Sequence, residues 1–154
     1  MNYWIFKSEA DCYSIDDMYK DKRTLWTGVR NYQARNFLRD MKVGDQALFY
    51  HSSAEPTDVV GIVTITKEST ADKTAFNKKD DHYDPKATQE NPIWFAPEVS
   101  FTEKFKRTVS LSEIKIRPDL AGISVAQKGS RLSIMPISKA HFDIIAKLGR
   151  AIDN

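Results

Sequence analysis

Residues 26–41 read Trp26-Thr27-Gly28-Val29-Arg30-Asn31-Tyr32-Gln33-Ala34-Arg35-Asn36-Phe37-Leu38-Arg39-Asp40-Met41. Gly28 interrupts the chain between two aromatic residues, Trp26 and Tyr32, which predicts a tight turn or room for a ligand to approach the backbone. From about Gln33 onward, Ala34, Phe37, Leu38 and Met41 recur at helical spacing, so the segment ends as an amphipathic helix with those side chains inward. Asn31 is placed to cap that helix. Arg35 and Arg39, four residues apart, share one of its flanks.

Working outward, Tyr3-Trp4-Ile5-Phe6 is aromatic and β-prone and reads as a strand. Ser14 caps a short helix with Asp17 at its third position. Downstream, Val43-Gly44-Asp45-Gln46 is a turn. Ala47 to Tyr50 is a buried strand ending in His51-Ser52-Ser53, and Asp58 to Thr66 is another, with Gly61 marking a bulge or close backbone approach. Residues 68–91 are charged and poorly periodic, which predicts a long solvated excursion holding Asp72, Asp80, Asp81 and Asp84. Ile93 to Phe95 and Val99 to Thr102 read as further strand, with the second arm reaching toward Lys106. Ser110 opens a capping-box pattern with Glu113, and Pro118 limits that helix. After Gly129, residues 131–137 form a strand that Pro136 assigns to an edge or an end. Ser138 caps a last helix with Gly149 as its stop.

Short strands interrupted by short helices, without regular strand–helix alternation, define an α+β, mainly β chain. The expected architecture is a small β-barrel with short helices packed around it, in one domain spanning residues 1–154. A hydrophobic content of 41% supports a packed core. Cys12 is the sole cysteine, so no intrachain disulfide framework exists. No secretory signal pattern and no apolar run of membrane-spanning length is present, and a soluble cytoplasmic protein is expected.

The net charge of +2 is uninformative as a sum, but its distribution is not. Residues 9–21 hold Glu9, Asp11, Asp16, Asp17 and Asp21, whereas residues 22–42 hold Lys22, Arg23, Arg30, Arg35, Arg39 and Lys42. Separated in space, these segments place a positive field on one face. The guanidinium forks of Arg30, Arg35 and Arg39 suit phosphate oxygens. Trp26 suits stacking on a base, with core packing as its alternative use, and Tyr32 and Trp4 are weaker candidates for further walls. The amides of Asn31 and Asn36 match a base edge. His51 and Ser52 end a strand at the mouth of the expected barrel, and Lys7 and Ser8 border the same opening.

Catalytic and metal readings find little support. His51, His82 and His141 are far apart, no zinc or calcium spacing is present, and no phosphate loop ends in Lys-Ser/Thr. Adjacent strand residues point to opposite faces, so His51 and Ser52 are no nucleophile pair. No cofactor is expected.

The chain resembles the EVE domain family of the PUA-like superfamily. The resemblance runs through Tyr3-Trp4-Ile5-Phe6-Lys7-Ser8-Glu9, Trp26 to Met41, Val43-Gly44-Asp45, Phe49-Tyr50-His51-Ser52, Gly61-Ile62-Val63, Asp84-Pro85-Lys86 and Arg131-Leu132-Ser133-Ile134-Met135-Pro136. It implies a curved, barrel-like sheet with a pocket for a base, and members that read modified cytosine or adenine in DNA or RNA. The related YTH domains share a Lys-Ser like Lys7-Ser8 and a tryptophan resembled by Trp26. The family's Lys-Ser-Glu-Pro appears here as Lys7-Ser8-Glu9-Ala10, and its Trp-Asp-Gly as Trp26-Thr27-Gly28. Arg131 and Ser133, in the last shared motif, are expected at the same cleft.

These readings converge on a non-enzymatic module that binds nucleic acid, DNA or RNA, at a modified or flipped base. Trp26, Asn31, Tyr32, His51, Ser52, Ser8 and Ser133 would surround the base. Arg30, Arg35, Arg39, Arg131 and Lys7 would hold the backbone, with Gly28 as a structural turn. The alternative is a small-nucleotide or protein-interaction module using the same pocket.

Overall fold

The computed structural model describes residues 1–52, 57–127 and 132–151. In chain order the elements are β1 (Tyr3–Glu9), α1 (Ile15–Asp21), β2 (Arg23–Leu25), α2 (Tyr32–Asp40), β3 (Gln46–Ser52), β4 (Asp58–Ala71), β5 (Phe95–Ser110), α3 (Leu111–Ile116), β6 (Ile134–Ile137) and α4 (Lys139–Arg150). Short 3-10 turns occupy Lys73–Phe76, Pro118–Leu120 and Ser124–Ala126. No helix among the described residues is long and apolar enough to cross a membrane.

The helices start where the sequence places their caps. The Ser14 hydroxyl accepts from the Asp17 N–H while the Asp17 carboxylate accepts from the Ser14 N–H, a complete capping box. Asn31, Ser110 and Ser138 accept from Ala34, Glu113 and His141 backbone N–H groups. At α3 only half the box forms, because the Glu113 carboxylate turns to Arg107 instead.

The strands form one sheet in the order β2-β5-β4-β3-β1-β6. β1 runs parallel to β3, and every other pair is antiparallel. Side-chain alternation divides the core between its faces. Trp4, Phe6, Ala47 and Phe49 pack with Ile15 and Met18 of α1 and Ala34 and Leu38 of α2. Ile5, Leu48 and Tyr50 pack on the other side with Ile114 of α3 and Phe142 and Ile145 of α4.

The expected barrel does not close. β2 and β6 are the sheet's two edges and do not pair with each other. They are only three and four residues long, and Pro136 in β6 removes a ladder donor. Helix α2 lies against both β5 and β6, near opposite ends of the strand order. The helix thus lies across this face of the open sheet, with Ala34 and Leu38 packed into the core beneath it.

Three further expectations change. Residues 68–71 belong to β4 and not to the excursion, because Thr70 and Ala71 pair with Ala96 and Phe95 of β5. Of the arm read over Ile93 to Phe95 only Phe95 is strand, since Ile93 has φ +59°, and from there it runs unbroken through the second arm to Ser110 as β5. Gly149 does not stop α4, which runs on to Arg150. Its role is a close approach: a Cβ there would lie 2.2 Å from the Phe105 ring.

Candidate functional site

Beside the end of β1 lies a cavity of about 570 Å³. Lys7, Ser8 and Glu9 line it from β1, Cys12 and Tyr13 from the following loop, and residues 24–30 from β2 and the turn beyond it; His82 and Ser133 complete the wall.

Trp26 is half-buried and lines this cavity. Phe6, Phe49 and Tyr13 back its indole at ring-centroid distances of 5.1, 5.7 and 6.1 Å. The core thus fixes the ring's orientation while part of it remains open. Two residues on, Gly28 has φ +88°, and its N–H donates to Asp72 Oδ2 at 2.8 Å. A Cβ at Gly28 would lie 2.8 Å from His82 Nε2. Backbone conformation and the imidazole both require glycine there.

Arg30 lines the cavity too, but its guanidinium is committed. Nε donates to the His82 carbonyl at 2.9 Å, Nη1 to Asp72 Oδ2 and the Val29 carbonyl at 3.0 Å, and Nη2 to Thr74 Oγ1 at 3.0 Å. It ties the turn after β2 to residues 72–82. Asp72, expected in a solvated loop, is instead buried. Burial pushes its carboxyl up, yet hydrogen bonds from Thr74, Gly28 and Arg30 more than offset this and hold it below the usual carboxylate range. No periodicity in residues 68–91 signals such a knot, whose partners lie more than 40 residues away.

At the rim, the Ser8 hydroxyl donates to the Tyr13 carbonyl at 2.5 Å, and the Lys7 N–H donates to the Ser133 carbonyl at 2.8 Å. The Lys7 ammonium lies 5.9 Å from the Tyr50 ring centre, and burial lowers its pKa.

Four residues read from the sequence as pocket walls do not line this cavity. Asn31 caps α2. Tyr32 stacks on Trp94 at 5.0 Å and carries the Arg35 guanidinium 5.0 Å from its ring centre. His51 Nε2 accepts the Ile15 N–H at 3.1 Å and so anchors the start of α1; burial lowers its pKa, although Asp58 and Asp16 raise it. Ser52 pairs in register with Glu9 at the end of β3. The outer flank of α2 carries Arg35, bonded to the Asn36 side chain and the Ile93 carbonyl, and Arg39, 4.7 Å over the Phe95 ring. Among the described residues neither meets a carboxylate. Arg131 lies outside the described residues.

Sequence reasoning missed His82, Glu9 and Tyr13 as cavity residues. The available signal for His82 was its place just before the shared Asp84-Pro85-Lys86. Among the described residues no group of His, Cys, Asp or Glu is placed to hold a metal ion.

An open sheet with an aromatic-backed cavity, and two arginines on α2 that meet no carboxylate among the described residues, defines a small recognition module. The chain belongs to the EVE domain family, which it matches over residues 2–148. Thymocyte nuclear protein 1 of Gallus gallus is 41% identical over an alignment of 165 residues, covering 95% of this chain and 68% of that protein. The crystal structure of human THYN1 in complex with 5-methylcytosine-containing DNA is 35% identical at TM-score 0.91, over 99% of this chain and 100% of that one. A Pseudomonas syringae protein of known structure is 42% identical at TM-score 0.91, over 95% of this chain and 98% of that one. The expectation of a cytoplasmic protein is overturned by the vertebrate relatives, which are named as nuclear proteins.

Proposed function

We propose that this chain is a non-enzymatic nucleic-acid-binding module, acting as one domain, that takes a modified base such as 5-methylcytosine from DNA into the cavity beside Trp26. One observation carries the reading: a half-buried, aromatic-backed Trp26 in an open cavity, in a chain that shares its fold over nearly full length with human THYN1 in complex with 5-methylcytosine-containing DNA. The cavity volume falls in the range of about 300–1,000 Å³ that holds small ligands.

Extruding a base from a duplex costs a few kcal/mol. Stacking on Trp26 returns about 1–3 kcal/mol. Phosphate contacts from Arg35 and Arg39 supply the rest, so that the backbone sets affinity and the pocket sets identity. Ser8, Ser133 and Lys7 border the base. Arg30 and Gly28 act by holding the pocket wall in place, and Asn31 and His51 by fixing the helices that carry it.

Binding of oligonucleotides carrying 5-methylcytosine, cytosine or thymine at one position tests the assignment. Trp26→Ala reduces the preference among bases by about tenfold or more, and Trp26→Phe, which keeps a stacking ring, retains part of it. Arg35→Ala weakens all oligonucleotides by a similar factor. Folded Trp26→Ala protein with unchanged base preference would overturn the proposal.

A further inference from the structure

We infer that His82 reads the base in this cavity, and that it selects one carrying an exocyclic amino group, as cytosine and adenine do, over one presenting a carbonyl there. The inference rests on the functional reading above and adds the group that sets identity.

His82 lines the cavity with its Nε2 edge packed on Gly28, two residues from Trp26. The position is built. The His82 N–H donates to Asp80 Oδ1 at 2.8 Å, its carbonyl accepts from Arg30 Nε at 2.9 Å, and Arg30 is pinned by buried Asp72. Ring Nδ1 lies 3.2 Å from the same Asp80 oxygen. A carboxylate only accepts, so an Nδ1 proton faces Asp80, and in the neutral ring Nε2 is the acceptor. The Ser8 hydroxyl has spent its proton on the Tyr13 carbonyl and offers only lone pairs. Glu9, also on the wall, is a further acceptor. Arg30, the strongest donor nearby, is turned away into the wall. An amino group beside Nε2, the Ser8 oxygen and Glu9 thus finds acceptors, whereas a carbonyl there meets lone pairs and loses its hydrogen bond to water; the ammonium on the wall, that of Lys7, lies by the Tyr50 ring. The absence of a side chain at Gly28 is what admits the imidazole.

The test compares His82→Ala, His82→Gln and wild type, with Trp26→Ala as a pocket control. Binding is measured to oligonucleotides differing at one position, 5-methylcytosine against thymine, which share the methyl group and differ in the amino group. Wild type prefers 5-methylcytosine by about tenfold or more, His82→Ala loses that preference, and His82→Gln, whose amide oxygen can replace Nε2, keeps a measurable part of it. His82 is half-exposed, so the folded state of each variant is checked by its unfolding midpoint. Preference retained in His82→Ala but lost in Trp26→Ala overturns the role of His82 and leaves the base pocket standing. Absence of base preference in the wild type overturns both.

Discussion

The Asp72 carboxylate, with no exposed side-chain surface, accepts from Gly28, Arg30 and both donors of Thr74. It joins the turn that carries Trp26 to the loop that carries His82. Asp72→Ala strands the Arg30 charge and leaves the Gly28 N–H without its acceptor. The expected loss is about 3 kcal/mol, read as a lower urea midpoint with little change in slope. His51 supplies a pH dependence. Its Nε2 can accept the Ile15 N–H only when deprotonated, and burial lowers its pKa. The folded chain therefore binds this proton less readily than the unfolded chain. Its contribution is complete above the unfolded value, about 6.5, and is lost as pH falls through that value toward the folded pKa. The thermal midpoint of wild type should decline below about pH 6.5, with a flatter profile in His51→Gln, whose amide oxygen accepts at any pH. Neither role is legible in the residues alone: His51 read as a rim residue and Asp72 as solvated, because each depends on a partner 36 or more residues distant.

At the scale of elements, α4 gives a prediction opposite to helix propensity. Alanine in a helix interior is favoured over glycine by about 1 kcal/mol. Gly149→Ala nevertheless places a methyl group against the Phe105 ring of β5. Overpacking of this kind costs about 1–3 kcal/mol, so the variant should melt lower than wild type by differential scanning calorimetry. Raised stability would show that the ring moves aside freely. The helix starts at Ser14, Asn31, Ser110 and Ser138 were readable because a cap and its acceptor relationship span only a few residues. The full lengths of β4 and β5 were not. The outer end of β4 holds Lys67, Glu68 and Ala71, residue types depleted in strands, and backbone pairing with β5 makes it strand anyway.

For the molecule as a whole, the positive face is smaller than the sequence suggests. Of the three arginines in the segment after Trp26, Arg30 is spent inside the protein, which leaves Arg35 and Arg39 as the proposed phosphate contacts. With two contacts to duplex DNA, the logarithm of the binding constant should fall against the logarithm of salt with a slope of about −1.8, from about −0.9 per contact. Arg39→Ala should make it shallower by about 0.9 without altering base preference. A slope unchanged in the variant would remove Arg39 from the interface.

The residues by themselves determined what short range controls: the helix caps, the inward face of α2, the edge position of Pro136, and Trp26 beside a glycine turn. Only the tertiary structure decided that the sheet stays open, that Arg30 is a strap, and that His82 meets Gly28 across an otherwise featureless loop. Spacing within a few residues specifies a local hydrogen bond or a buried face. Which edge remains unpaired, and which charge meets which, depends on segments brought together from 36 to 52 positions apart.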